Sequence, residues 1–162
     1  MIMGTDMHVA IEIRRNEYKW QAKCAAPTWV YVRDWTVDRH YNLFGAFGSI
    51  RRTWSNSFVL RCAENMSWQM REKDKDGYYG FYLVTPDRLK NEVLGWSPSV
   101  KDWDEEEEGY DPPVIDKEWF FDMSVYLGDD VYKTDPLNYS IYKLMLKKYG
   151  KDNVRLIVYF DS

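Results

Sequence analysis

Ionisable side chains alternate with apolar ones along residues 6–14, close to the start of the chain. Asp6, His8, Glu12 and Arg14 fall on one face because successive side chains of a β-strand point to opposite sides. An imidazole that shares a face with carboxylates and a guanidinium can bind an anion, hold a metal ion or move a proton. This strand therefore supplies the first candidate functional residues.

Residues 154–161 show the same alternation at the other end of the chain, where Arg155, Tyr159 and Asp161 share a face with Ile157. If the two terminal strands are neighbours in one sheet, their polar faces combine. Opposite charges on neighbouring strands contribute roughly 0.2–1 kcal/mol each, so a purely structural ladder is the alternative to a site.

On this combined face, arginines could bind the phosphate of a ligand. Carboxylates could position those arginines or accept hydrogen bonds from a ribose and a base, and aromatic rings could stack on the base. Arginines and a tyrosine from residues 39–51 are expected to join it. The predicted ligand-binding residues are Asp6, His8, Glu12, Arg14, Arg39, Tyr41, Arg51, Arg155, Tyr159 and Asp161.

Catalysis is not the favoured prediction, although one alternative would need it. His8 and His40 are the only histidines, and no nucleophile elbow, phosphate-binding loop, dinucleotide fingerprint or zinc signature occurs. The alternative is a metal-dependent phosphoester or nucleotide hydrolase with Asp6, His8 and Asp161 as ligands of a divalent cation. Otherwise no cofactor is expected, and no catalytic residue is predicted.

Acidic residues are concentrated between residues 101 and 113, in a run that includes four consecutive glutamates. Such a run repels itself, so an extended surface loop is the simpler interpretation. A further alternative is an acidic nucleic-acid mimic that occupies a basic groove on a DNA-binding partner.

The hydrophobic pattern predicts the elements that would position these residues. Strands are predicted at 6–14, 18–20, 28–33, 58–60, 78–84 and 154–161. Helices are predicted to begin at the caps Asp38, Thr85, Asp116 and Asp135 and to end near Ile50, Gly95, Gly128 and Gly150, with Arg51 and Arg52 at the end of the first. The charged run 71–76 is predicted to be a solvated loop.

These elements predict an α+β fold with an antiparallel or mixed sheet. Its first and last strands are adjacent and packed against three or more helices, in a single domain spanning 1–162. The net charge of -4 argues against direct nucleic-acid binding. No apolar run reaches the roughly 20 residues of a membrane span, and no signal-peptide pattern opens the chain. With two cysteines and no Cys-x-x-Cys spacing, the expected location is the cytoplasm.

Aromatic residues make up 17% of the chain, with 8 Trp and 13 Tyr. Most of these rings are expected in the core, but Trp and Tyr also line ligand pockets and anchor protein interfaces. A homo-oligomer is compatible with this surplus of rings and with the sheet edges.

Three segments together resemble a family of small bacteriophage and prophage proteins. They are Thr5-Asp6-Met7-His8 with Glu12 and Arg14, Arg39-His40-Tyr41-x-Leu43-Phe44 continuing to Ile50-Arg51, and Val154-Arg155 with Phe160-Asp161. Members of that family carry an Asp-x-His-Ser segment in mid-chain where this sequence has Gly80-Phe81-Tyr82. A catalytic site that used that second histidine would be absent here.

The resemblance implies a viral protein that acts in the cytoplasm of a bacterial host. Small phage proteins of this kind often counter host defence by binding. The expected function is therefore an anti-defence accessory protein that either sequesters a nucleotide-like signal or blocks a defence protein, without catalysis. Nucleic acid and membranes are not expected as direct partners.

Overall fold

A four-stranded antiparallel sheet organises the computed structural model, which describes residues 4–14, 29–104, 106, 109, 111–121, 124–126, 132–134 and 137–162. Its strands are β1 (Asp6–Ile13), β2 (Val30–Val37), β3 (Tyr79–Val84) and β6 (Val154–Asp161), in the order β2-β1-β6-β3. A separate two-stranded sheet pairs β4 (Ser124–Tyr126) with β5 (Tyr132–Thr134).

The first and last strands lie side by side, as predicted. In the β1–β6 register Asp6 faces Asp161, His8 faces Tyr159 and Glu12 faces Arg155. The ionisable residues of both strands therefore share one side of the sheet. With helices packed against the sheet, the α+β prediction is confirmed.

The helices are α1 (Tyr41–Phe44), α2 (Trp68–Lys75), α3 (Pro86–Arg88), α4 (Lys117–Phe120) and α5 (Leu137–Tyr149). A π-helical turn (Leu89–Val93) extends α3, and 3-10 turns occupy Val100–Asp102 and Lys151–Asn153. Two predicted caps are confirmed. Thr85 Oγ1 accepts the N–H of Arg88 (3.3 Å), and Asp116 Oδ1 accepts the N–H of Trp119 (2.7 Å). None of the helices in these described parts of the chain is long and apolar enough to cross a membrane.

The helix predicted from Asp38 to Ile50 is wrong in length, because α1 has a single turn and begins after His40. The chain folds back at Gly45, where a Cβ would lie only 2.6 Å from the carbonyl oxygen of Arg52. Arg51 and Arg52 therefore do not lie at a helix end. Arg51 instead sits in the left-handed region at φ 65°, inside a γ-turn closed by the N–H of Arg52 and the carbonyl of Ile50 (2.8 Å).

Three other local predictions were wrong. The charged run 71–76 lies mostly in α2, which forms because Met70 is fully buried against the sheet. Residues 58–60 form no strand, and only Phe58 makes an isolated bridge, to Phe47. The helix that begins after Asp116 ends at Phe120, since β4 follows a few residues later. The strand predicted at 18–20 lies outside the described residues.

Both sides of the sheet are covered. On one side, Met7, Val9 and Ile11 pack with Leu156 and Val158 into the main hydrophobic core. On the other side, a second apolar cluster joins Ala10, Ile157 and Tyr159 of the strands to Met70 and Phe81. The chain from Arg61 onward lies beside β3, because the N–H of Ala63 donates to Phe81 (2.7 Å) and the N–H of Leu83 donates to Arg61 (2.8 Å). The polar side of β1 and β6 is thus covered over its middle.

Candidate functional site

The predicted site residues fall into separate groups along the β1–β6 ladder. Asp6, His8 and Asp161 lie at one end of the ladder, and Glu12 and Arg155 lie at the other. Glu12 lies four positions after His8 along the strand, a distance of about 13 Å at the usual rise per residue. One small ligand could not contact all of the predicted residues, so each end has to be considered by itself.

At the first end, Arg39, Tyr41 and Arg51 form a cluster named here the arginine corner. Arg39 Nε donates to Oδ1 of Asp6 (2.6 Å), and Arg51 Nε donates to Oγ1 of the buried Thr5 (2.7 Å). The Arg51 guanidinium lies 5.3 Å from the centre of the Tyr41 ring. The hydrogen bond that Arg39 donates to Asp6 raises the pKa of Arg39. The structure therefore brings together the predicted residues of this end as an exposed surface cluster.

His8 lies beside this corner but is enclosed by its neighbours. Its Nδ1 is 3.0 Å from Thr36 Oγ1, its Nε2 is 3.2 Å from Asp161 Oδ2, and its ring stacks on Tyr159 with centroids 5.0 Å apart. Asp6 directs a carboxylate oxygen to Arg39. Within the parts of the chain that the structure describes, no three His, Cys, Asp or Glu side chains are grouped so that they could hold a metal ion. The geometry at His8 supports a structural role.

In the middle of the ladder, the carboxylate of Asp34 accepts two tyrosine hydroxyls. Tyr159 Oη donates to Oδ2 and Tyr31 Oη donates to Oδ1, both at 2.6 Å. Tyr159 is fully buried, and burial followed by the hydrogen bond to Asp34 raises its pKa. The same two causes raise the pKa of the partly exposed Tyr31 to about 12. Tyr159 is therefore an internal hydrogen-bond donor rather than a ligand contact.

These shifted pKa values predict a loss of stability at alkaline pH. Tyrosines of the unfolded chain ionise around pH 10, whereas folded Tyr159 stays protonated, so unfolding releases a proton above that pH. The free energy of unfolding should be little affected by Tyr159 below pH ~10 and should fall by roughly 1 kcal/mol from this residue by pH ~11. Urea denaturation across this range measures the slope. Tyr159→Phe should make the slope shallower without abolishing it, because Tyr31 keeps its raised pKa, and an unchanged slope in that variant would contradict the assignment.

At the second end, Glu12 and Arg155 form a buried ion pair. Arg155 Nε and Nη2 both donate to Glu12 Oε1, at 2.9 and 2.8 Å. Glu12, which is fully buried, also accepts the N–H of Ser67 (2.7 Å), and Arg155 donates to the carbonyl of Glu64 (2.8 Å). Burial lowers the pKa of Arg155, and Glu12 opposes that shift. Glu12 therefore holds the guanidinium in place and is itself inaccessible to a ligand.

A cavity of about 250 Å3 opens beside this pair. Its wall includes Arg155, Trp29, Lys151, Asp152 and Asp87. The Arg155 guanidinium lies 4.1 Å from the centre of the Trp29 ring. Lys151 Nζ is 3.3 Å from Asp87 Oδ2 in an exposed ion pair on that wall. The cavity thus combines two cations, two carboxylates and an indole.

Arg14 is not among the residues that line this cavity, but it contacts two parts of the wall. Its guanidinium lies 4.9 Å from the centre of the Trp29 ring. Its Nη2 donates to the carbonyl of Asp152 (3.0 Å), and its Nε approaches Asn153 Oδ1 (3.4 Å). The contacts fix both the ring and the turn that carries Lys151.

A second cleft, of about 350 Å3, is lined by Ala63, Asn65, Met66 and Arg71. Met66 and Ala63 pack against the second apolar cluster, and Arg71 is exposed on α2. No predicted site residue lines this cleft.

The sequence interpretation missed most of the cavity wall. The sequence pattern predicts only a strand for Trp29 and a helix start for Asp87, and it predicts no element for Lys151 and Asp152. The sequence does carry one signal for this cavity wall, because Lys151 and Asp152 directly precede the strand that carries Arg155. Asp34 and Thr36 were missed as well, since the limits of β2 were placed too early.

The acidic run is only partly described. Asp102 Oδ2 accepts the N–H of Ser55 (2.8 Å), and this hydrogen bond lowers the pKa of Asp102. Asp102 is therefore used in a local contact. Four residues between 105 and 110 lie outside the described parts, so the nucleic-acid mimic stays a prediction.

Comparisons with known proteins assign no family to this fold and these sites. No protein-family model matches the chain, and no curated protein or solved structure matches it either. The similarity of three segments to phage proteins remains a prediction from the sequence.

Proposed function

We propose that this chain is a non-catalytic binding protein that counters a bacterial defence by sequestering a nucleotide-like signal. The observation that carries the ligand class is the cavity formed by Arg155, Trp29 and Lys151. The anti-defence role is supported by the resemblance of the terminal strands and the α1 region to phage proteins.

The cavity wall matches the chemistry of a nucleotide. A guanidinium and an ammonium, Arg155 and Lys151, suit a phosphate through charge-assisted hydrogen bonds. Asp152 and Asp87 can accept hydrogen bonds from sugar hydroxyls and base amino groups. Trp29, together with Leu83, supplies apolar surface of the kind that buries a planar ring.

The size of the cavity limits which nucleotides it can hold. At about 250 Å3 it lies just below the roughly 300 Å3 at which typical small-molecule pockets begin. A mononucleotide is therefore the favoured ligand, and a cyclic dinucleotide is disfavoured.

The residues that line the cavity favour ligand binding over catalysis. Among the described residues that line the cavity there is neither an imidazole nor a thiol, and the hydroxyl among them, that of Thr85, already caps α3. Arg155 is held in place by the carboxylate of Glu12 and the carbonyl of Glu64, so the site presents a fixed hydrogen-bonding guanidinium rather than a reactive group.

Calorimetric titration of the purified chain tests this proposal. The panel contains nucleoside monophosphates, cyclic mononucleotides and cyclic dinucleotides. We expect binding by a member of the first two groups and about tenfold weaker binding by Lys151→Ala, since one charge-assisted contact is lost. Lys147→Ala is the matched control, because Lys147 is exposed on the preceding helical turn and does not line the cavity.

An absence of detectable binding by every nucleotide in the panel would refute sequestration of a nucleotide. Binding of a cyclic dinucleotide alone, or equal affinities for the two lysine variants, would refute the assignment to this cavity. In a bacterial host that carries a nucleotide-signalling defence, the chain should protect an infecting phage, and Lys151→Ala should lose that protection.

A further inference from the structure

The exposed face of α5 carries lysines and leucines but no acidic residue. α5 is the longest helix in the described parts of the chain, and the residues on its opposite side, Asn138 and Tyr142, are buried. Its solvent side is called here the lysine face and consists of Leu137, Ser140, Lys143, Leu144, Lys147 and Lys148.

The lysine face has an apolar row with cations on both sides. Leu137 and Leu144 are 50% and 56% exposed and lie two helical turns apart, about 10.5 Å along the axis. At about 100° per residue, Lys143 and Lys147 fall on one side of this row and Lys148 on the other. Exposed leucines flanked by cations are the pattern by which a helix receives an amphipathic partner.

The three lysines have no acidic partner within the residues that the structure describes. Two of them contact rings instead. Lys143 Nζ lies 4.9 Å from the centre of the Tyr139 ring, and Lys148 Nζ lies 5.4 Å from that of Tyr149. Lys117 approaches Tyr139 as well, at 4.3 Å. The positive charge of this face is therefore not neutralised by nearby described side chains.

Charge distribution identifies the class of partner. The whole chain has a net charge of -4, so its long-range field disfavours DNA and anionic membranes. Within a Debye length of about 8 Å at physiological salt, however, the local charge of the lysine face dominates. A short acidic helix that covers only this face gains from that local charge, whereas a long DNA duplex or an extended anionic membrane also meets the net negative charge of the rest of the chain.

We infer that the lysine face of α5 docks an acidic amphipathic helix of a partner protein. Carboxylates of the partner pair with Lys143, Lys147 and Lys148, and its apolar residues cover Leu137 and Leu144. This surface is independent of the proposed nucleotide site, because none of its residues lines that cavity.

Fluorescence anisotropy with a labelled helical peptide of glutamate and leucine tests the inference on the full chain. The variant Lys143→Gln/Lys147→Gln/Lys148→Gln should bind the peptide about tenfold more weakly, as three screened ion pairs are lost. The matched control, Lys73→Gln/Lys75→Gln/Lys90→Gln, removes the same charge elsewhere and should change the affinity less than about twofold. Leu144→Ser should also weaken binding, and thermal unfolding should show that each variant remains folded.

Three results would overturn the inference. They are an absence of peptide binding by the unchanged chain, equal losses in the lysine-face and control variants, and tighter binding to duplex DNA or to phosphatidylserine vesicles than to the peptide.

Discussion

Replacing Glu12 by Gln should lower the free energy of unfolding by about 3–5 kcal/mol. Glu12 is fully buried, and its partner Arg155 is 5% exposed. The substitution removes the carboxylate that accepts two hydrogen bonds from the buried guanidinium, whose other described acceptor is the carbonyl of Glu64. Urea denaturation followed by circular dichroism measures the change.

The exposed ion pair between Lys151 and Asp87 provides the comparison. Its side chains are 62% and 67% exposed, so Asp87→Asn should cost less than about 1 kcal/mol. Replacing both members of the buried pair, by Glu12→Met and Arg155→Met together, should recover most of the stability lost in Glu12→Gln. Equal costs for Glu12→Gln and Asp87→Asn would show that the buried pair is not the cause.

The buried pair also bears on the proposed ligand site. Arg155 is fixed on two sides, by Glu12 and by the carbonyl of Glu64, before any ligand arrives. A guanidinium that is already ordered loses little conformational freedom when it binds a phosphate. The polar face of β1 and β6 thus contributes Arg155 to the cavity wall directly and Glu12 indirectly, by holding Arg155 in place.

The strands and their pairing could be predicted because alternation along residues 6–14 and 154–161 reports directly which side chains share a face. Once the two strands are adjacent, the same rule puts Glu12, Arg155, His8 and Tyr159 on one side of the sheet, whereas their pairing depends on the register of the two strands. The caps at Thr85 and Asp116 were predictable for a similar reason, since each depends on residues within one helical turn.

The covering of the polar face could not be predicted, because it depends on contacts distant in sequence. α2 buries Met70 alone, and its other residues are mostly charged, so no apolar period marks it as a helix that packs on the sheet. The tight return at Gly45 and the left-handed Arg51 are likewise set by tertiary contacts. An alternating pattern indicates which side chains share a face, but it does not show what covers that face.

The cavity was missed for a related reason. Trp29, Asp87 and Lys151 come from three separate segments, and each has an ordinary local role. Only the sheet order β2-β1-β6-β3 brings the start of β2 and the end of β3 to the same end of β6.

Replacing Asp34 by Ala should cost about 2–4 kcal/mol, the second largest effect expected in this chain, since hydrogen bonds to a charged group contribute about 1.5–3 kcal/mol each. Asp34 is the acceptor of both Tyr31 and Tyr159, and the fully buried Tyr159 hydroxyl would lose its acceptor. Thermal and urea unfolding measure the loss.

A double-mutant cycle separates this hydrogen bond from the other effects of the substitution. Tyr159→Phe in the Asp34→Ala background should restore part of the lost stability, because the buried hydroxyl without an acceptor is removed along with its desolvation cost. Tyr31→Phe, at the partly exposed member of the trio, should restore less, since water can replace Asp34 there. Strictly additive costs for Asp34→Ala and Tyr159→Phe would mean that the 2.6 Å contact between them does not stabilise the fold. A measured coupling would place the hydrogen-bonded carboxylate of β2 among the interactions that join β6 to the rest of the sheet.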